Sequence, residues 1–213
     1  LRKVAWDCGC GSGQASVALA PHFDRVHATD VAPAQIRAAT PHSKVTYSIA
    51  PAERSGLADA SVDLVTVAQA LHWFDVEAFH AEARRVMRPG ALLAEWTYPR
   101  PQFVDPALDR VFGDFHAQVM APYWPPERRH VGAHYRTLPA PPAALGFEEV
   151  KAPDFSLELQ WPLEQVTGYV RSWSATARFR EWKGMDPVPV LLGALAPLWP
   201  PGIAAVGLRM PLV

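Results

Sequence analysis

The chain has 213 residues, 49% of them apolar and 19% charged, with a formal net charge of −1. That length fits one domain with a small cap and can bury a sizeable core, while the near-zero charge sets up no broad basic field and excludes nucleic acid and anionic membrane surfaces as partners. No apolar run approaches the ~20 residues needed to span a bilayer, no signal-peptide pattern opens the chain, and Cys8 and Cys10 share one loop, so no disulfide framework exists and a cytoplasmic location is expected.

The chain opens on a short apolar run, Val4-Ala5-Trp6, that ends in Asp7. A loop with glycine at every second position follows (Gly9, Gly11, Gly13), and then Ala15 to Ala20 reads as a helix. Strand, glycine loop and helix together bring bare backbone N–H groups up to a ligand; the same pattern also serves as a tight strand-to-helix turn with no ligand. The G-x-G-x-x-G fingerprint of dinucleotide sites would need its third glycine at position 14, which is Gln14. The spacing Cys8-x-Cys10 could suit a metal, but no further cysteine or histidine pair lies near it, so none is expected. Val26 to Asp30 reads as a second strand, with Asp30 about 20 residues beyond the loop, where a carboxylate can accept bonds from ribose hydroxyls.

Val31-Ala32-Pro33 then opens a helix to about Thr40, with Pro33 in the first turn, where its missing N–H is harmless. Val45 to Ile49 is a third strand by its β-branched and aromatic content. Val62 to Ala68 is a fourth, near-continuously apolar as suits burial on both faces. Asp75 can cap a helix whose apolar positions are Val76, Phe79, Ala83, Val86 and Met87, stopped by Arg88-Pro89-Gly90. Ala91 to Trp96 is a fifth strand. This alternation of strand and helix implies a parallel sheet with helices on both faces.

From Pro99 the rhythm changes, and many of the 22 prolines lie beyond it. Leu108, Val111, Phe112, Phe115 and Val119 make one stripe on a helix from about Asp105 to Met120. A proline-rich basic loop spans Tyr123 to Pro142, and Phe147 to Leu159 reads as a strand. Leu163, Val166, Val170, Trp173 and Ala177 mark one helix between Pro162 and Gly184, and Asp186-Pro187 begins another. Val206, Leu208 and Met210 alternate with Gly207, Arg209 and Pro211 as a half-buried strand. The segments 147–159 and 203–213 are expected as the last two strands of the sheet, and the helices at 105–121 and 162–199 as a cap.

The segments Asp7-Cys8-Gly9-Cys10-Gly11-Ser12-Gly13, Ala28-Thr29-Asp30, Ala50-Pro51-Ala52-Glu53, Ser61-Val62-Asp63-Leu64-Val65, Gln69-Ala70-Leu71-His72-Trp73-Phe74-Asp75 and Arg85 to Gly90 resemble the class I S-adenosylmethionine (SAM) dependent methyltransferases. More closely, the chain is similar to type 11 domains of the branch that includes trans-aconitate methyltransferase-like proteins. The resemblance implies an α/β, doubly wound, Rossmann-like sheet of seven strands, mostly parallel with the last antiparallel, under a helical cap. One domain would cover 1–213, with a cofactor half at 1–98 and cap insertions at 99–146 and 160–202. Family members usually carry a helical segment upstream, and here Leu1 is expected to lie already inside the first strand.

The resemblance also implies roles. Gly9 and Gly11 would pass beneath the methionine portion of SAM, within a loop that Cys10 and Gly13 complete, and Asp7 would face its ammonium directly or through water. Asp30 would hold the ribose diol with Val31 beside it, and Ala52 and Glu53 would flank the adenine. Pro51 stands where many members place an aspartate for the adenine amino group, and its side chain accepts nothing. Gln69 would sit near the methyl-bearing end. His72 and Trp73 read either as a packed aromatic connector or as a wall of the transfer pocket, where aromatic faces suit a sulfonium. His72 is the one named candidate base.

The reaction implied is in-line methyl displacement by a small-molecule acceptor, giving S-adenosylhomocysteine. A carboxylate acceptor would need no base and would call for cations. Arg128, Arg129, His130, His134 and Arg136 are available, unless they form a solvated loop. A monomer or homodimer is expected, with no nucleic acid or membrane partner. Two rivals remain. A nicotinamide oxidoreductase lacks its third glycine and a Tyr-x-x-x-Lys pair, and a SAM-binding domain without catalysis is compatible with the same motif.

Overall fold

The structure, a computed structural model, describes residues 3–213, so the expectation that Leu1 belongs to the first strand lies outside them. Contacts divide the chain into two units, Leu1–Thr97 with Ala133–Ala152, and Tyr98–Gly132 with Pro153–Val213. Among the described residues no helix is long and apolar enough to cross a membrane.

The first unit is built on five parallel strands, β1 (Val4–Cys8), β2 (Arg25–Asp30), β3 (Val45–Ile49), β4 (Val62–Ala68) and β5 (Met87–Trp96), in the order β3-β2-β1-β4-β5. Successive side chains of a strand point to opposite faces, and the two faces carry separate cores. Trp6, Cys8, Val65 and Val67 join Phe79, Ala83 and Val86 of α3 (Val76–Val86). Ala5 and Val26 join Ala20 and Phe23, which follow α1 (Gln14–Leu19). Each fully buried large apolar side chain contributes roughly 1.5–3 kcal/mol, so this double cover explains the near-continuous apolar character of β4.

Asp75 caps α3 as expected, its Oδ1 accepting from the Ala78 N–H at 3.2 Å. The helix α2 (Pro33–Arg37) ends short of Thr40, because the Thr40 N–H turns back to the Ser12 carbonyl at 3.1 Å. Met87 does not continue α3 but begins β5 directly after Val86. The 133–152 segment packs with this unit through Tyr135, Leu138 and Phe147, which lie against the α3-side core. The stretch 99–146, read from sequence as one cap insertion, is therefore divided at Gly132.

The sheet does not reach seven strands. In the second unit β6 (Gln102–Phe103), β7 (Phe155–Trp161) and β8 (Val206–Leu212) form their own antiparallel sheet, order β6-β8-β7. The physical reason is visible in their side chains. Val206, Leu208 and Met210 are buried on one face of β8 while Arg209 is exposed, and β7 is exposed along most of its length. Such one-sided strands suit an antiparallel sheet wet on one face, not the doubly covered parallel sheet. Residues 147–154, expected as strand, are irregular.

The buried face meets a core made with α4 (Pro106–Asp114), α6 (Leu163–Arg171), α7 (Ser174–Lys183) and α8 (Val188–Leu195). A short helix, α5 (Arg129–Gly132), lies within the basic segment. The helix expected to run to Met120 widens after Asp114 into a π turn, with the Met120 N–H bonded to the Phe115 carbonyl at 3.1 Å. The helix expected from Leu163 to Lys183 breaks at Trp173, which is extended (φ −69°, ψ 139°) and buried against Phe112 and Trp124.

Candidate active site

The loop after β1 is shaped by contacts that a side chain would break. Gly9 has φ 67°, and a Cβ there would lie 2.6 Å from the Ala70 Cβ and 3.0 Å from Phe74 Cζ. Gly13 has φ 91°, and its Cβ would meet the Tyr47 hydroxyl at 2.2 Å. Gly11 also sits in the left-handed region, at φ 54°, yet nothing comes nearer to its would-be Cβ than Gln35 Oε1 at 3.9 Å. Two glycines are thus demanded by packing, and the middle one leaves an open side.

Asp7 is fully buried, and its carboxylate is taken up by the scaffold. Oδ2 accepts from Ser16 Oγ on α1 at 2.5 Å, and Oδ1 from Thr66 Oγ1 on β4 at 3.0 Å. Burial raises its pKa above the usual carboxylate range, with the two hydroxyls pulling the other way. Ser16 and Thr66 were not singled out from sequence. Their signal was a lone hydroxyl inside a mostly apolar helix and strand, which in a buried position needs a partner.

Asp30 ends β2, half-buried, and ties the glycine loop to its own strand. Its Oδ2 accepts from the Gly11 N–H at 2.9 Å and its Oδ1 from the Ala32 N–H at 2.8 Å. Beside it Val31 is 70% exposed. The Cys10 N–H bonds the Thr29 carbonyl at 2.9 Å. Burial pushes the Cys10 thiol up to about 12, and that of Cys8 well above its ordinary range, so both stay protonated near neutrality. Among the described residues no group of three or more His, Cys, Asp or Glu side chains is placed to hold a metal ion.

Beyond β3, Ala52 is buried, and Glu53 Oε1 accepts from the Asp75 N–H at 2.9 Å. The same loop is anchored by Glu82 of α3, whose Oε1 accepts from both the N–H and the Oγ of Ser55 at 2.7 and 2.6 Å. The Arg85 guanidinium at 2.7 Å, helped by Ser55 and opposed by desolvation, holds the Glu82 pKa at about 2. A depressed carboxylate stabilises the fold fully above its unfolded pKa of about 4.5, and that contribution disappears as pH falls through about 2. Urea unfolding across that window is expected to show Glu82→Gln less stable than the parent by up to roughly 3 kcal/mol at pH 6, with the gap closing near pH 2. A gap that does not change with pH would contradict this assignment.

At the end of β4, Gln69 adopts φ 58°, a left-handed conformation unusual for a residue with a side chain. Its N–H bonds the Trp96 carbonyl at 2.9 Å, and its side-chain oxygen accepts from the Thr97 hydroxyl. The backbone then turns through a single 3₁₀ turn, Leu71–Trp73. His72 is buried, its Nδ1 lying 3.1 Å from the Tyr135 hydroxyl, whereas Trp73 is 53% exposed. Phe74 lies under Gly9 and against Phe79, with ring centres 5.2 Å apart. His134 and Tyr135 both have positive φ, 55° and 58°. Arg136 is exposed, so in this segment Tyr135 is the residue that meets His72. Of the other loop cations, His134 belongs to the first unit, and Arg128, Arg129 and His130 to the second.

A family model described as a methyltransferase domain matches residues 6–94, the stretch that carries all these loops except the 133–152 return. A Dictyostelium discoideum protein named "Putative methyltransferase" is 33% identical over 190 residues, covering 88% of this chain and 70% of that protein. A solved structure of a "Putative Type II Methyltransferase" from Anaeromyxobacter dehalogenans is 46% identical, with a TM-score of 0.86 over 99% of this chain and 87% of that one. A malonyl-[acyl-carrier protein] O-methyltransferase of Dechloromonas aromatica is 33% identical over 132 residues, 60% of this chain. The chain spans about half of that enzyme's length, 48%.

Proposed function

The chain belongs to the class I SAM-dependent methyltransferases, and on that premise we propose that it methylates a small-molecule acceptor through a carboxylate oxygen, by in-line displacement. One observation carries the reading. The Gly11 amide donates to Asp30 at 2.9 Å, which makes the glycine loop and the acid at the end of β2 a single piece. That piece stands at the carboxyl ends of adjacent parallel strands, where open α/β sheets bind ligands.

The residues present fit SAM. Gly11 keeps its backbone bare on an open side, and Asp30 has lone pairs left beyond the two amides it accepts. Gly9, Cys10, Gly11 and Gly13 would carry the main chain beneath the methionine portion, with Asp7 fixing that main chain from behind through Ser16 and Thr66. Asp30 would take the ribose hydroxyls beside Val31. Ala52 and Glu53 would flank the adenine, Glu53 held in place by the Asp75 N–H. Gln69 would face the reacting end, its amide oriented by Thr97. When bound there, SAM supplies a methyl group on a sulfonium whose departing sulfur keeps the electron pair of the broken C–S bond.

For a carboxylate acceptor no proton has to leave, since such a group is ionised near neutrality. The task left to the protein is to align the two partners and exclude water. The Dechloromonas relative, named for O-methylation of a malonyl group, supports an oxygen nucleophile of this kind. For an acceptor that does carry a proton, His72 would be the base, its ring oriented by the contact between Nδ1 and the Tyr135 hydroxyl.

Labelled SAM and a panel of small carboxylic acids test the reading. Label is expected in an ester that mild alkali releases, and tight SAM binding with no labelled acid would overturn it. In that assay His72→Gln is expected to change turnover by less than about tenfold; a fall of ~10²–10⁴ would mark His72 as a general base and exclude the proton-free route.

A further inference from the structure

The second unit, taken by itself, contains a recess of about 550 Å³ lined by residues 99–100, His116 and the 121–132 segment. Its lining includes three arginines (Arg100, Arg128 and Arg129) and His116, and no acidic residue. The remaining wall is apolar, chiefly Trp124 and prolines. In a chain whose net charge is −1, this is a local concentration of positive charge, not an average surface.

The cations are oriented. Arg100 is gripped by both carboxylate oxygens of Asp109, at 2.7 and 3.1 Å. The Arg128 guanidinium lies 5.1 Å from the centre of the Trp124 ring, a cation–π distance. His116 is packed against Trp124 and Trp173, at 5.3 and 5.6 Å between ring centres. Burial, followed by the charges of Arg128 and Arg100, pushes its pKa down to about 4, so near neutrality it is an uncharged ring; the positive charge is left to the arginines, with that of Arg100 offset by Asp109.

We propose that this recess binds the carboxylate of a small organic acid that has an aromatic body. A planar guanidinium matches the two in-plane oxygens of a carboxylate, and Trp124 with the prolines gives the ring an apolar wall. A phosphate presents more oxygens and leans on backbone amides, and Pro99, Pro125 and Pro126 in this wall have none to give. The volume falls inside the ~300–1,000 Å³ typical of small-molecule sites. That the acid is the methyl acceptor rests on the reading above; that the recess takes a carboxylate does not.

The test is calorimetric titration of the whole chain, without SAM, using phenylacetate, phenylacetamide and inorganic phosphate. Phenylacetate is expected to bind at least about tenfold more tightly than its uncharged amide, and phosphate is expected not to displace it. Arg128→Gln should weaken phenylacetate about tenfold or more, Arg128→Lys should fall between it and the parent, and Arg178→Gln, at an exposed arginine outside the recess, should change nothing. Unchanged SAM affinity and far-ultraviolet dichroism would show that the variants fold. Should Arg128→Gln not fold, the comparison of the three probes on the parent chain decides by itself. Equal binding of the amide, displacement by phosphate, no binding of phenylacetate, or parent-like affinity in a folded Arg128→Gln would each overturn the proposal. Because SAM is absent, those failures leave the methyl-transfer reading standing. Acid binding without a methylated product would instead sink that reading and spare the recess.

Discussion

Gly9→Ala is expected to lower the unfolding free energy by about 2–4 kcal/mol, the sum of left-handed backbone strain and overpacking. The clash falls on atoms that cannot swing away. The new Cβ would stand 2.6 Å from the Ala70 Cβ, and Ala70 is itself buried. Relief requires the backbone after β4 to move, and that backbone already includes Gln69 at φ 58°. The displacement would travel into the turn that places His72 and Trp73. Gly13 is less exacting, because its obstacle is the far end of the Tyr47 side chain. Gly11→Ala supplies the contrast, since strain of about 1–2 kcal/mol is all that its open surroundings add. Urea unfolding and SAM calorimetry on both variants should therefore cross over: Gly9→Ala loses mainly stability, and Gly11→Ala loses mainly affinity. Parent-like stability in Gly9→Ala would contradict the packing described, and parent-like SAM affinity in Gly11→Ala would remove the loop from the site.

Asp30→Ala is expected to weaken SAM binding by about 1–3 kcal/mol, through loss of charged hydrogen bonds to the ribose. A second effect comes from the scaffold, because the amides of Gly11 and Ala32 would lose their acceptor. Asp30→Asn separates the two contributions. It retains one side-chain oxygen for an amide but sets a donor against the other, so it should recover part of the stability and little of the affinity. Calorimetric affinity beside denaturant midpoints reads both. If Asp30→Ala binds SAM as the parent does, the carboxylate belongs to the fold alone.

Much of the first unit was legible because its signals are local. The run Val62 to Ala68 announces a strand buried on both faces, Asp75 announces a helix start, and the alternating glycines announce a tight loop with left-handed backbone. Each needs only the period of one element or the conformation of one residue. Tyr135 was harder to see, since its bond to His72 joins positions 63 apart. The exposed Arg136 beside it drew attention through its charge instead.

By itself, then, the sequence determined the five-strand parallel frame, the helix caps and the glycine-loop signature of a SAM-dependent methyltransferase, all written in spacings of a few residues. Only the tertiary structure decided that β7 and β8 make a separate sheet, that Asp7 is spent on Ser16 and Thr66, and that Arg100 and Arg128 share one recess. Strand pairing, the filling of buried hydrogen bonds and the gathering of charge are chosen by whichever distant groups pack together, and no short window of residues contains both partners.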